Sequence, residues 1–153
     1  MRTGNSAPIS FAKANAQSLP AGGRNAHAAA EKILKISLES ARLGSAVVLH
    51  CHDRAISRDD ARALAGLICE VLPSARRMIL DLNEVHSFDS GALGELVMIH
   101  MWAEAAGYSL PFASPSDSVR GLFEATNLVS VFDVYSSVES AIAALNQEQI
   151  RSA

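Results

Sequence analysis

From Leu34 onward the chain alternates short apolar stretches with longer stretches of helical spacing, and few folds accommodate that alternation. Leu34, Ile36 and Leu38 alternate with polar residues, and Gly44-Ser45 then turns the chain into the apolar run Ala46-Val47-Val48-Leu49. Two strands, paired as a hairpin, are predicted to open the domain. The run Met78-Ile79-Leu80-Asp81-Leu82 is short and apolar on both faces, as a strand at the centre of a covered sheet must be. Residues 110–113 form a weaker strand because of Pro111, and residues 131–135 the last one.

Helices fill the intervals. Ser57 and Asp60 have the spacing of a capping box, after which Ala61, Leu64, Ala65, Ile68, Val71 and Leu72 recur at helical spacing until Pro73. A second helix begins near Ser90 and runs over about residues 92–106, with Leu93, Leu96, Val97 and Met101 expected on its core face and Gly107 as its stop. Ser116 precedes a short third helix with Val119, Leu122 and Phe123, ending at Asn127, a residue that tolerates the left-handed conformation. Ser136 and Glu139 are expected to cap a final helix through Leu145. The resulting order, β-β-α-β-α-β-α-β-α, specifies a single α/β domain: a central mixed β-sheet with crossover helices packed on it. Residues 1–32 are expected to be a disordered N-terminal tail, 33–147 the domain, and 148–153 a C-terminal tail.

Composition narrows the function classes. Residues 1–30 carry Arg2, Lys13 and Arg24 and no acid. They lack the apolar core of a secretory signal, and Pro8, Pro20 and Gly22-Gly23 interrupt the amphipathic helix that an organelle transit peptide needs. With three of the 13 basic residues and none of the 16 acidic ones in that segment, the remainder is distinctly acidic, a poor match for nucleic acid. The most apolar stretch, residues 93–102, is interrupted by Gly94, Glu95 and His100, so no membrane insertion is expected. Cys51 and Cys69 lack paired spacing and read as buried thiols of a reducing compartment, with the cytoplasm as the expected location.

The densest motif is Phe88-Asp89-Ser90-Gly91-Ala92-Leu93-Gly94, following the strand at 78–82. Residues 36–145 resemble the STAS domain family, of the anti-sigma factor antagonist (anti-anti-sigma factor) type, whose signature reads Asp-Ser-Ser/Thr-Gly-Leu-Gly. Gly107, Ser114-Pro115-Ser116, Val119-Arg120-Gly121-Leu122-Phe123 and Ser137-Val138-Glu139-Ser140-Ala141 fall where that family has its helix stop, Pro-containing loop, third helix and last helix. The resemblance implies a non-enzymatic regulator of transcription in which Ser90 is phosphorylated by an anti-sigma factor with serine kinase activity. A serine phosphatase is the further partner this implies. The second helix and its preceding loop would bind the partner, with Asp89, Ser90, Gly91, Leu93 and Gly94 as contact residues. The chain departs from the family pattern at Gly91, where a second Ser or Thr is usual, at Ala92, where Gly is usual, and at Asn127, again for Gly. Cys51-His52-Asp53-Arg54 stands where the family has Gly-Glu-Leu-Asp.

The residues also permit other readings. Ser90 at a helix start is suited to phosphorylation, because free amides and the helix dipole accommodate a phosphate there, but Ser and Asp are also the commonest helix caps. A nucleophilic serine would need Gly-x-Ser-x-Gly, and Phe88 and Ala92 occupy the two glycine positions. His50-Cys51-His52-Asp53 carries metal-ligating side chains, yet on a strand His50 and His52 face one way and Cys51 and Asp53 the other, so His86 or His100 would have to complete a site. No metal is assigned. Gly91 and Gly94 match neither nucleotide-binding fingerprint, and no cofactor is implied. The same fold also serves as an accessory subunit of a transporter ATPase or a stress-signalling assembly, a role in which Ser90 would be only a contact.

Overall fold

The computed structural model describes residues 8–9, 34–40 and 46–152. Its main sheet contains β1 (Pro8–Ile9), β2 (Ile36–Ser40), β3 (Val47–Cys51), β5 (Met78–Asp81), β7 (Phe112–Ala113) and β8 (Val134–Tyr135), hydrogen-bonded in the order β1-β2-β3-β5-β7-β8. β1/β2 and β2/β3 are antiparallel, whereas β3/β5, β5/β7 and β7/β8 are parallel. The sheet is therefore mixed, as the sequence predicts. A separate parallel pair joins β4 (Ala55–Ile56) to β6 (Ser87–Phe88). Among the described residues four α-helices pack with these strands: α1 (Arg58–Ala75), α2 (Ser90–Ala106), α3 (Asp117–Ala125) and α4 (Val138–Ser152).

The strand period sorts side chains between two cores. Leu49, Cys51, Met78, Leu80 and Phe112 pack with Leu64 and Ile68 of α1, Leu96 and Ile99 of α2, and Phe123 of α3. Their neighbours Val48, Ile79 and Ala113 point to the other face, where Ala141 and Leu145 of α4 cover them. A strand enclosed on both faces gains no stability from polar alternation, which is why residues 78–80 are all apolar and fully buried.

Several boundaries differ from the sequence expectation. The Ser57 capping box forms: Ser57 Oγ accepts from the Asp60 N–H at 3.2 Å, and Asp60 Oδ2 from the Ser57 N–H at 3.0 Å. α1, however, continues past Pro73 to Ala75 and ends on Arg76 at φ 70°. Pro73 sits exposed in the last turn, where the i→i−4 hydrogen bond it forgoes lies at the helix end and not in its interior. The last strand is shortened to Val134–Tyr135, because a 3-10 turn, Leu128–Ser130, entered through Asn127 at φ 63°, precedes it. α4 is capped by Ser137, whose Oγ accepts from the Ser140 N–H at 3.0 Å, instead of by Ser136. It runs to Ser152, so residues 148–152, expected as part of a C-terminal tail, continue the helix.

Of the expected N-terminal tail, Pro8–Ile9 pairs with Ile36 and Ser37, and its other residues up to 32 lie outside the described residues, as does the Gly44-Ser45 turn. Cys69, expected to be buried, is exposed on α1, while Cys51 is buried and both thiols are free. No helix among the described residues is long and apolar enough to cross a membrane.

Candidate functional site

The short pair β4/β6 sets two helix N-termini side by side, since β4 leads into α1 and β6 into α2. The Asp89 N–H donates to the Ile56 carbonyl at 3.2 Å, which holds the residue between the two strands. Its carboxylate then serves both helices. Oδ1 accepts from the Ala92 N–H at 2.8 Å and Oδ2 from the Arg58 N–H at 3.3 Å. One acid thereby satisfies an orphan donor in the first turn of each helix and lies at the positive end of both dipoles.

Asp89 is thus the cap of α2, and Ser90 is the first residue of the helix, exposed to solvent. The alternative in which Ser90 is itself the cap does not hold. In the first turn, the Ala92 N–H is taken by the Asp89 side chain and the Leu93 N–H by the Asp89 carbonyl at 3.1 Å. The site carries two arginines of α1 as well: Arg62 Nη2 is 3.3 Å and Arg58 Nε 4.0 Å from Glu95 Oε2 of α2.

Of the expected contact residues, Asp89, Ser90 and Gly94 are exposed and Gly91 is half-buried. Leu93, expected both on the core face and as a contact residue, is in the core: it is three positions from Ser90, a rotation of about 300°, and packs in the main hydrophobic cluster. Met101 is corrected in the other direction. Expected on the core face, it is 60% exposed, and Met98 is 68% exposed. Both continue a line of exposed residues, Ser90, Gly94, Met98 and Met101, down one side of α2 at helical spacing. The helix is apolar around most of its circumference, so periodicity could not assign these methionines.

A second polar cluster occupies β2, β3 and the end of β5. His50 Nδ1 donates to Asp81 Oδ2 at 2.6 Å and its Nε2 to Glu39 Oε1 at 2.8 Å. Burial disfavours the charged ring, but the hydrogen bonds to Glu39 and Asp81 outweigh it and raise the His50 pKa. His52 stacks on His50 with ring centroids 6.1 Å apart and reaches Ser37 and Glu84. Cys51 points into the opposite core, where burial pushes its thiol pKa far upward. No group of three or more His, Cys, Asp or Glu among the described residues is arranged to hold a metal ion. His100 is buried edge-on to Phe132, with ring centroids 5.3 Å apart, a packing position near the far end of α2.

Sequence reasoning missed the β4/β6 junction and the proximity of Arg58 to the Ser90 loop. Each strand has two residues, too few for a period, and the only signals were the isolated apolar residues Ile56 and Phe88.

A model of the STAS domain family matches residues 23–141. The chain belongs to the STAS domain family. Among solved structures, this STAS domain is similar to an anti-sigma factor antagonist from Mycobacterium paratuberculosis, at 19% identity and TM-score 0.64 over 74% of this chain and 94% of that one. It is similar also to the Bacillus cell-fate determinant SpoIIAA in its phosphorylated form, at 16% identity and TM-score 0.55 over 72% and 98%. A sulfate transporter family protein from Wolinella succinogenes matches at 16% identity and TM-score 0.60 over 67% and 86%. At these identities the likeness establishes the fold.

Proposed function

We propose that this STAS domain is an anti-sigma factor antagonist that switches partners through phosphorylation of Ser90. Unphosphorylated, it binds an anti-sigma factor with serine kinase activity and so frees a sigma factor. The kinase transfers the γ-phosphoryl group of a nucleoside triphosphate to Ser90 Oγ, with the hydroxyl proton passing to a base of the kinase and the nucleoside diphosphate leaving. A serine phosphatase reverses the step by hydrolysis. The observation that carries this reading is the division of labour at the α2 N-terminus. Asp89 performs the capping, which leaves the Ser90 hydroxyl exposed at the head of a surface line that includes Met98 and Met101.

The chemistry of a switch at that position is direct. A phosphate adds a charge of about −1.5 to −2 to a surface that otherwise docks through Gly94 and two apolar side chains. The remaining first-turn amides accommodate it without refolding the domain, while a partner seated on the same face meets new charge and a desolvation cost. The structural likeness to antagonists, one of them in a phosphorylated form, supports the reading. The likeness to a sulfate transporter family protein favours a second reading, an accessory subunit in which Ser90 is a plain contact.

Peptide mapping of the protein isolated from its own cells separates the two. The switch predicts a phosphate on the peptide containing Ser90, present in some growth states and lost in Ser90→Ala. An accessory subunit predicts an unmodified peptide in every growth state.

A further inference from the structure

We infer that Arg58 receives the phosphate of Ser90, exchanging its contact with Glu95 for the phosphoserine and coupling the modification to α1. This rests on the reading of Ser90 as the modified residue, and it is argued from the junction between α1 and α2.

Arg58 and Ser90 are the first residues of their helices, and the Asp89 carboxylate ties the two starts together. A Cβ on Gly91, the residue after Ser90, would lie 2.8 Å from Arg58 Cβ and 2.9 Å from its Cδ. The Arg58 stem therefore lies directly on the backbone of α2 beside the modified position, in space that only glycine at 91 leaves open. Beyond that stem the guanidinium has two directions along α2: one turn onward to Glu95, or back to Ser90. In the unmodified chain it takes the first, weakly, with Nε 4.0 Å from Glu95 Oε2.

Glu95 does not depend on that contact, because Arg62 reaches the same oxygen at 3.3 Å. The Arg58 side chain is 61% exposed and free to turn. A phosphoserine supplies nearly two charges and three acceptor oxygens, which a guanidinium fork engages in parallel, against one shared carboxylate oxygen at Glu95. The exchange follows from that difference. Modification then changes the docking face twice, by adding the phosphate and by drawing Arg58 from the side of α2 to its tip.

The test installs phosphoserine at position 90 of the full chain during translation and titrates it by phosphorus NMR. In wild type the second ionisation is expected at lower pH than in Arg58→Gln, by about half a pH unit, or about threefold in the ionisation constant. Arg62→Gln is expected to titrate as wild type does. Coincident curves for wild type and Arg58→Gln, or equal displacement in the two glutamine variants, would overturn the proposal. A second measurement needs no substitution: the Arg58 Nε–Hε resonance of the wild-type protein is expected to move with the phosphate titration, and a stationary resonance would overturn the pairing. Because the phosphate is installed and not enzymatically transferred, absence of Ser90 phosphate in native cells removes the partner switch without touching this result, and the reverse also holds.

Discussion

Phe123→Ala is expected to remove about 3–5 kcal/mol of stability, a large share of the typical total of about 5–15 kcal/mol. Phe123 is fully buried on α3 and joins parts of the fold that are distant in sequence. Its ring centroid lies 6.2 Å from that of Phe88, 6.1 Å from Phe112 and 5.4 Å from Phe132. Truncation leaves a cavity between the sheet, the β6 end and the loop before β8, and rigid neighbours refill it only partly. Thermal unfolding should drop by roughly 10–20 °C, while Val129→Ala, at a position 42% exposed, should stay within about 0.5 kcal/mol of wild type. Because Phe88 leads directly into Asp89, the same cavity loosens the loop that presents Ser90. A Phe123→Ala protein as stable as wild type would mean that the aromatic cluster does not organise this core.

The second large effect concerns binding and leaves stability alone. Replacing Met98 and Met101 together with glutamate should change the melting temperature by no more than a few degrees, because both side chains already face solvent. On the proposed function, affinity for an anti-sigma serine kinase should fall by about a hundredfold or more, since two charges then sit on the proposed apolar docking face. Melting curves and titration calorimetry on the same preparations separate the outcomes. A double variant that melts early while binding normally would place these methionines in the fold and the docking surface elsewhere.

Most of the element order was legible because it rests on strong local chemistry. The Ser57–Asp60 box, the apolar run at 78–80 and the Gly107 stop each act within a few residues, and each is in place. What escaped depends on tertiary contact. Pro73 looked like a helix end because the rule against proline applies to interiors, whereas here it lies in an exposed last turn. Met101 looked like core because nearly every side of α2 is apolar, and only the position of the sheet decides which side is buried. Leu93 carries two expectations, core by helical spacing and contact by its place in the motif, and its direction on the helix turns it inward, as the spacing indicates. The loop containing Asp89 and Ser90 could be picked from sequence, and Asp89 could be read as a helix cap from its local position, but its second hydrogen bond, to the start of α1, could not. That bond depends on β4, whose two residues set the Arg58 N–H within reach of the Asp89 carboxylate.

The measurement that bears most directly on the proposed switch is the affinity of the proposed partner, an anti-sigma serine kinase, for this chain with and without phosphate on Ser90, using Ser90→Ala as the unmodifiable control. The unphosphorylated protein and the alanine variant should bind alike, and the phosphorylated protein about a hundredfold more weakly or worse, because the added charge stands on the proposed docking face. Equal affinity for the phosphorylated and unphosphorylated forms would contradict the switch and leave Ser90 as an ordinary surface residue of the fold.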